Sequence, residues 1–286
     1  MFCKRTQKIA ALMLICFLVV TGIPIGNHKI CTTNTYAATT TKNKISLFDS
    51  NKTMSKTVYA DLTGDEQTEE VDFQITYGEN DIIDTFNIRI NGENALTLKS
   101  LGYVVRVSCL KLSAKEIFMY IVDASDNGDP TVDAIYHYNE NTKKLEQVLI
   151  LDTVNYKKGT CHVYSTVKVS NDTLKVTYMG QMLATGYIKW VYEYNYKNGK
   201  FVLKNNTAKI FRKWHKGNFV ANKNITFYKK AGITKKAFTI KQGTSVKLQK
   251  IKTVKNTYYL QFKYGKKTGW IKAGKTNIFK DVVLVG

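Results

Sequence analysis

Residues 86–98 read FNIRINGENALTL, and this stretch decides the fold class. Apolar and polar side chains alternate on both sides of Asn91-Gly92, as they do in a half-buried strand. Asn-Gly readily adopts the backbone of a tight turn, and between two alternating runs it is the strongest short signal of a β-hairpin. The stretch therefore predicts two antiparallel strands joined by a two-residue turn.

The same pattern recurs further along the chain. Asn198-Gly199 lies between two strand-like runs, and Ser170-Asn171-Asp172 separates two more. The runs are rich in Tyr, Val, Ile, Thr and Phe, which are the residues that a pleated sheet surface prefers. Helical periodicity is almost absent, and Pro130 is the one proline after residue 38. These features predict an all-β chain built from antiparallel sheets.

A weak internal repeat extends over residues 45–210. Its units share the order strand, short polar loop, strand, at a spacing of about 60 residues. The matching segments are Val58–Asp65 with Val71–Tyr77, Ile121–Ser125 with Ala134–Tyr138, and Val176–Gly180 with Ile188–Tyr196. Such units are typical of blade-like antiparallel sheets, but three are too few for an ordinary closed propeller. We expect residues 45–210 to form either an open, propeller-like stack or a sandwich.

The N-terminus has the pattern of a secretory signal peptide. Cationic residues lie within the first eight positions, and residues 9–25 are almost wholly apolar. Thr35-Tyr36-Ala37 then offers the small residues that a signal peptidase reads. We therefore assign residues 1–38 to a cleaved signal peptide and predict a secreted protein with no membrane span after cleavage. An uncleaved membrane anchor is the alternative.

Charge is distributed unevenly along the chain. Residues 39–210 carry 20 Lys and Arg against 21 Asp and Glu, whereas residues 211–286 carry 19 Lys and Arg against a single acid, Asp281. A near-neutral domain is thus followed by a strongly cationic one. For an exported protein, this asymmetry indicates polyanionic partners such as wall polymers, anionic lipid or acidic glycans, and nucleic acid is not expected.

The cationic segment contains a specific order of motifs. The steps are Gly217–Val220, Ile225–Tyr228, Phe238–Val246, Tyr258–Phe262 and Gly269-Trp270-Ile271. In this order the segment resembles a bacterial SH3 domain, and we assign residues 217–286 to an SH3-like barrel with a C-terminal tail. The resemblance implies a module that binds cell-wall peptidoglycan or positions a partner domain.

A module of this size has little room for a core and should close its sheet to remove the edges. Tight turns are expected at Gly243 and Gly269, where other residues resist the backbone conformation. The apolar side chains expected to face inward are Ile225, Phe227, Ile240, Val246, Leu248, Leu260, Phe262 and Ile271.

Aromatic and cationic residues of this module are the candidate ligand-binding residues. The rings can stack on sugar faces or line a peptide groove, and the lysines can pair with carboxylate or phosphate. The candidates are Tyr228, Tyr258, Tyr259, Tyr264, Trp270, Lys229, Lys230, Lys266 and Lys267. The alternative is that the rings form the barrel core and the lysines a solvated face. A solvated face normally mixes both signs of charge, however, and this one does not.

Two acidic loops are candidate calcium sites. The first places oxygen-bearing side chains at Asp61, Thr63, Asp65 and Glu69, and alternate oxygens on a tight loop suit a hard cation. It resembles a degraded calcium loop of the integrin-type FG-GAP repeats, from which Thr63 and Glu66 depart. A looser second loop contains Asp123, Ser125, Asn127 and Asp129. The alternative for both loops is a polar turn that needs no metal.

The sequence contains no recognisable catalytic pattern. Cys161 and His162 are neighbours on an expected strand and would face opposite ways, which excludes a dyad between them. Cys109 has no catalytic motif around it, although a fold could bring His137 near it. Cys109 and Cys161 form either one disulfide or two buried thiols.

Together these observations predict a secreted, surface-associated, non-catalytic binding protein. Its cationic module would attach to cell-wall or other anionic envelope polymer, and its β domain would offer a platform to a partner. The alternative is a secreted protein-interaction factor, such as an adhesin or an inhibitor. A third hypothesis is a carbohydrate-active enzyme, which would need two carboxylates close together in one cleft.

Overall fold

The computed structural model describes residues 43–125, 130–151, 159–282 and 284, and at positions 161, 162, 214 and 215 it describes the backbone alone. These residues form 20 β-strands and two short 3₁₀ helices, with no α-helix among them. All strand pairs in this part of the chain are antiparallel, so the all-β prediction is confirmed. The expected signal peptide at 1–38 lies outside the described residues.

Strand β1 (Lys44–Asp49) opens the described chain and joins the second of three sheets. The first sheet is a meander whose strands pair in chain order: β2 (Ser55–Ala60), β3 (Glu69–Tyr77), β4 (Ile83–Ile90) and β5 (Glu93–Lys99). Asn91 and Gly92 join β4 to β5 with φ angles of 50° and 80°, as a two-residue hairpin turn requires. The hairpin predicted at residues 86–98 is confirmed.

The second sheet has the order β1-β6-β7-β8-β9. Its further strands are β6 (Val104–Lys111), β7 (Ile117–Ala124), β8 (Asp133–Asn139) and β9 (Lys144–Ile150). Apart from β1, this sheet is again a meander in chain order. It is apolar on both faces, since Met119 contributes to one core and Phe118 to another.

The third sheet has 11 strands. Its first part consists of β10 (Thr160–Ser170), β11 (Thr173–Met182), β12 (Gly186–Lys197), β13 (Lys200–Leu203) and β14 (Thr207–Lys213). Its second part consists of β15 (Asn218–Val220), β16 (Ile225–Tyr228), β17 (Lys236–Ile240), β18 (Ser245–Val254), β19 (Thr257–Tyr264) and β20 (Lys267–Lys272). The main strand order is β10-β11-β12-β14-β18-β19-β20-β16-β17. Among the described pairings, no barrel or propeller closes.

Strand β14 joins the two parts of the third sheet. Residues 210–213 pair with β12, and residues 207–209 pair with β18. A continuous backbone ladder therefore reaches the segment that the sequence marks as the start of the cationic module. The tail packs back on the same module, where Ala221 forms a bridge with Phe279.

Three consecutive meanders account for the repeated pattern in residues 45–210. The first is β2 to β5, the second β6 to β9 and the third β10 to β13. The loop at residues 61–68 joins the first two strands of its meander, whereas the loop after Ala124 joins the second and third strands of its own. The two acidic loops therefore occupy different places in their meanders. The sequence repeat that matched them is displaced by one strand, because all strands of a meander share the same alternating pattern.

Aromatic side chains fill the spaces between the sheets. Phe48 of β1 stacks on Phe73 and Phe86 of the first sheet, with ring centroids 5.2 and 5.6 Å away. On the opposite face of the second sheet, Phe118 contacts Tyr196 and Phe201 at 4.7 and 5.0 Å. The second sheet is thus packed between the other two, which explains why both of its faces are apolar.

The apolar pattern of residues 217–286 is confirmed at the level of burial. All eight side chains expected to face inward are no more than 3% exposed, from Ile225 to Ile271. Gly243 has a φ of 82° in the turn before β18, as expected. Gly269 was predicted in a turn but lies within β20, where an added Cβ would meet the Cβ of Phe227 at 2.6 Å. Close packing, and not a turn, requires glycine there.

Among the described residues, no helix has the length and apolar character needed to span a bilayer.

Candidate functional site

The outward face of strands β14, β18, β19 and β20 is rich in lysine. On β18, the buried residues Val246, Leu248 and Ile251 alternate with the outward Lys247, Lys250 and Lys252. The pleat places the intervening side chains on the opposite face, toward solvent. We call this surface the basic face, and its residues are Lys209, Lys247, Lys250, Lys252, Tyr259, Gln261, Lys263, Trp270 and Lys272.

The strand register fixes the spacing of these charges. Lys209 is paired with Lys250 across β14 and β18, and Lys247 with Lys263 across β18 and β19. Paired strands are about 4.8 Å apart, and alternate residues along a strand are about 6.8 Å apart. Lys252 and Lys272 are both paired with Tyr259, from either side. The lysines therefore form a grid, with Tyr259 and Trp270 set among them.

Among the residues that the structure describes, no ion pair joins these lysines to a carboxylate. The described ion pairs join Asp49 to Arg106 and Glu193 to Lys175 and Lys204, and none includes a lysine of the basic face. Like charges directly opposite each other on a sheet are destabilising, so the lysine pairs act against folding. Partial burial and the charge of Lys247 lower the pKa of the neighbouring Lys213. The paired lysines of the face thus repel one another, and an external anion would relieve this repulsion.

Two lysines near β12 are paired with a carboxylate instead. The carboxylate of Glu193 accepts bonds from the amino groups of Lys175 and Lys204 at 3.3 and 3.4 Å. The bond from Lys175, together with that from Lys204, lowers the pKa of Glu193 below its usual value.

The structure separates the aromatic candidates. Tyr259 and Trp270 lie half-buried on the basic face, and Tyr264 is 44% exposed at the end of β19. Tyr228 pairs with Trp270 across β16 and β20. Tyr258 is only 2% exposed and packs edge-on against Trp190 at 5.7 Å, so its ring is a core element and is not available for stacking on a ligand.

The four candidate lysines lie at the margins of the basic face. Lys267 is paired with Tyr264, and Lys266 lies in the turn before it. Lys229 and Lys230 follow β16, and all four are exposed. The grid was not predicted from the sequence, although the alternation of apolar residues with lysines from Val246 to Lys252 indicates a lysine-rich outer face.

Comparison with known proteins gives no match among family models, curated proteins or solved structures. The function must therefore be inferred from the charges, spacing and side-chain chemistry of the site. A fold alone would not supply it, because one fold hosts many unrelated functions.

The Asp61 loop is held by its own carboxylates. Asp61 accepts bonds from the backbone N–H groups of Thr63, Gly64 and Glu66 at 3.2, 2.6 and 3.3 Å. Glu69 is buried and accepts a bond from the N–H of Leu62 at 2.7 Å. Among the described residues, no group of three or more His, Cys, Asp or Glu is arranged to hold a metal ion. Calcium binding at Asp61, Thr63, Asp65 and Glu69 stays a prediction.

In the second acidic loop, Asp123 is buried and likewise bonded within the protein. Its carboxylate accepts from the N–H groups of Gly102 and Val132 and from the hydroxyl of Thr131. Asn127 and Asp129 lie outside the described residues.

The candidate pair Cys109 and His137 is not formed. Cys109 carries a free thiol in the core between the first two sheets, and burial raises its pKa to about 12. His137 lies on the opposite face of the same sheet, against Phe118 at 5.5 Å, and burial lowers its pKa. The disulfide alternative is excluded for Cys109, and the side chains of Cys161 and His162 are outside the described set.

Proposed function

We propose that this chain is a secreted, non-catalytic binding protein that attaches through its basic face to cell wall or another anionic polymer of the cell envelope. The observation that carries the proposal is the grid of unmatched lysines, in which Lys209 faces Lys250 and Lys247 faces Lys263. Such repulsion is relieved when a polyanion lies across the face.

An extended sheet face suits a long polymer better than a small ligand. Each exposed lysine contributes only about 0.2–1 kcal/mol to an ion pair in water. Six lysines on one rigid face act together, however, because a polymer that binds one of them is already held near the others. Tyr259 and Trp270 would add stacking on sugar rings between the charged groups.

The proposal includes the finer architecture. Residues 217–286 would be an SH3-like barrel, which is supported by β18 pairing with β15 at its start and with β19 along its length, and by the return of the tail to Ala221. Residues 45–210 would be a propeller-like stack or a sandwich, which is supported by three consecutive antiparallel meanders.

The test is retention of the chain lacking residues 1–38 on purified wall sacculi, with and without their anionic polymers. Raising the salt concentration from about 0.1 M to about 1 M shortens the screening length from about 10 to about 3 Å. We expect retention that requires the polymers and falls at high salt. Retention that is unchanged by salt would refute the charge-driven part of the proposal.

A matched pair of variants separates the basic face from general charge. Replacing Lys209, Lys250 and Lys252 by Gln should release the protein at lower salt than the wild type. Replacing the exposed Lys52, Lys99 and Lys115 by Gln removes the same charge elsewhere and should leave retention nearly unchanged. If neither the wild type nor the variants bind sacculi, the protein-interaction alternative is favoured.

A further inference from the structure

A groove lies between the segment that enters β16 and the segment that leaves β20. It has a cavity volume of about 370 Å³, within the range of about 300–1,000 Å³ that is usual for small-molecule sites. Its lining residues are Lys223, Asn224, Ile225, Thr226, Gly274, Lys275, Thr276 and Ile278. None of these residues was singled out as a ligand-binding residue from the sequence.

Both walls of the groove are anchored by backbone hydrogen bonds. The N–H of Asn222 donates to the carbonyl of Ile278 at 2.8 Å, and the N–H of Ala184 donates to the carbonyl of Ala273 at 2.9 Å. Ile225 and Ile278 are 3% and 4% exposed and form the apolar floor. A groove fixed in this way loses little conformational freedom when a ligand binds.

The polar groups of the groove are hydrogen-bond donors. Asn224 accepts from the N–H of Gln242 through its carbonyl oxygen at 3.1 Å, which leaves its NH₂ group to donate. The hydroxyl of Thr226 bonds that of Thr239 at 3.0 Å. Lys223 and Lys275 supply two ammonium groups, and no carboxylate is among the described residues that line the groove. Donors and positive charge from several directions are complementary to an oxyanion.

The groove adjoins the basic face. The amino group of Lys275 lies 6.0 Å above the ring of Tyr228, a cation–π contact that orients it. Tyr228 is in turn paired with Trp270, which belongs to the basic face. A polymer lying across the face can therefore extend into the groove without leaving the surface.

We propose that this groove binds one phosphodiester group of the polymer, whereas the basic face holds the rest of the polymer through the charge of its lysines. The inference rests on the proposed function and gives it chemical selectivity. The described lining supplies two ammonium groups, which act as point charges toward phosphate oxygens, and the NH₂ group of Asn224 as a further donor.

The test is a titration of the ¹⁵N-labelled chain lacking residues 1–38 with glycerophosphoglycerol, a small phosphodiester, followed by amide chemical shifts. We expect saturable shifts confined to residues 222–226 and 274–278. Lys223→Gln with Lys275→Gln should weaken this binding by at least about tenfold, since each loses a charge-assisted contact. The control Lys52→Gln with Lys99→Gln removes the same charge from exposed positions elsewhere and should bind glycerophosphoglycerol like the wild type.

Three results would overturn the inference. They are the absence of saturable shifts, equal weakening in both double variants, and equally tight binding of acetate. Salt-sensitive wall retention measured on the same samples would leave the proposed function standing in each case. Co-sedimentation with phosphatidylglycerol vesicles, compared with polymer-bearing sacculi, distinguishes a lipid headgroup from a wall polymer as the source of the phosphodiester.

Discussion

Replacing Lys247 by Glu tests whether the lysines of the basic face lower the stability of the fold by mutual repulsion while they bind the polymer. Lys247 is directly opposite Lys263, and its charge also lowers the pKa of Lys213. Opposite charges directly across a sheet contribute about 0.2–1 kcal/mol, and like charges are destabilising by a similar amount. Converting repulsion into attraction should therefore stabilise the protein by about 0.4–2 kcal/mol.

The measurement is thermal unfolding at low and high salt. For a chain of this size, 1 kcal/mol shifts the melting temperature by about 2–4 °C, so Lys247→Glu should raise it by about 1–8 °C at low salt. Most of the gain should vanish at about 1 M salt, where surface charges are screened. Lys247→Gln removes the repulsion without adding an attraction and should give about half of the gain.

The same variant should bind sacculi more weakly than the wild type, so stability and retention should change in opposite directions. Lys52→Glu, which alters the net charge equally in an exposed turn, should change neither quantity much. A lower melting temperature for Lys247→Glu would refute the repulsion between the paired lysines. Unchanged retention on sacculi would refute the basic face as the surface that binds the polymer.

Three further predictions concern single buried positions. Gly269→Ala should destabilise the protein by about 1–3 kcal/mol in urea unfolding, because its Cβ would meet the Cβ of Phe227 in a packed core, and unchanged stability would contradict this. Burial raises the pKa of Glu69 above 4.5, so ionisation in the folded state is unfavourable and stability is lost as the pH rises through the folded pKa. Glu69→Gln should therefore gain stability over the wild type at pH 7, and this gain should shrink as the pH falls through the folded pKa toward 4.5; a difference independent of pH would exclude the effect. The thiol of Cys109, with a pKa of about 12, should resist alkylation at pH 8 until urea unfolds the chain, and rapid labelling of the native protein would contradict its burial.

Local chemistry made much of the fold predictable from the sequence. Asn91-Gly92 and Asn198-Gly199 specify their hairpins because both residues of each pair adopt positive φ angles. Alternation placed the inward side chains of β18 to β20 correctly. The same rule, applied to Tyr258, would have placed it in the core beside Leu260, since residues two apart share a face.

Tertiary features were not predictable in this way. The alternating pattern is the same in every strand, so the sequence does not show which strand of one meander corresponds to which strand of the next. Gly269 illustrates a second limit, because the approach of Phe227 that demands glycine comes from a strand more than 40 residues away. The groove between Lys223 and Lys275 is a third case, since the two segments meet only when the tail returns to Ala221.

Strand β14 connects the basic face to the third meander. Its Lys209 belongs to the basic face, while its residues 210–213 pair with β12. A polymer held at the face, as we propose, would be coupled to that meander through a hydrogen-bonded ladder. Force applied at the wall would act along this ladder, so the strength of attachment would depend on β14 as well as on the lysines. Pro at Lys209 would remove a backbone donor from β14, and it should reduce force-resistant attachment more than Lys209→Gln, which removes the charge alone.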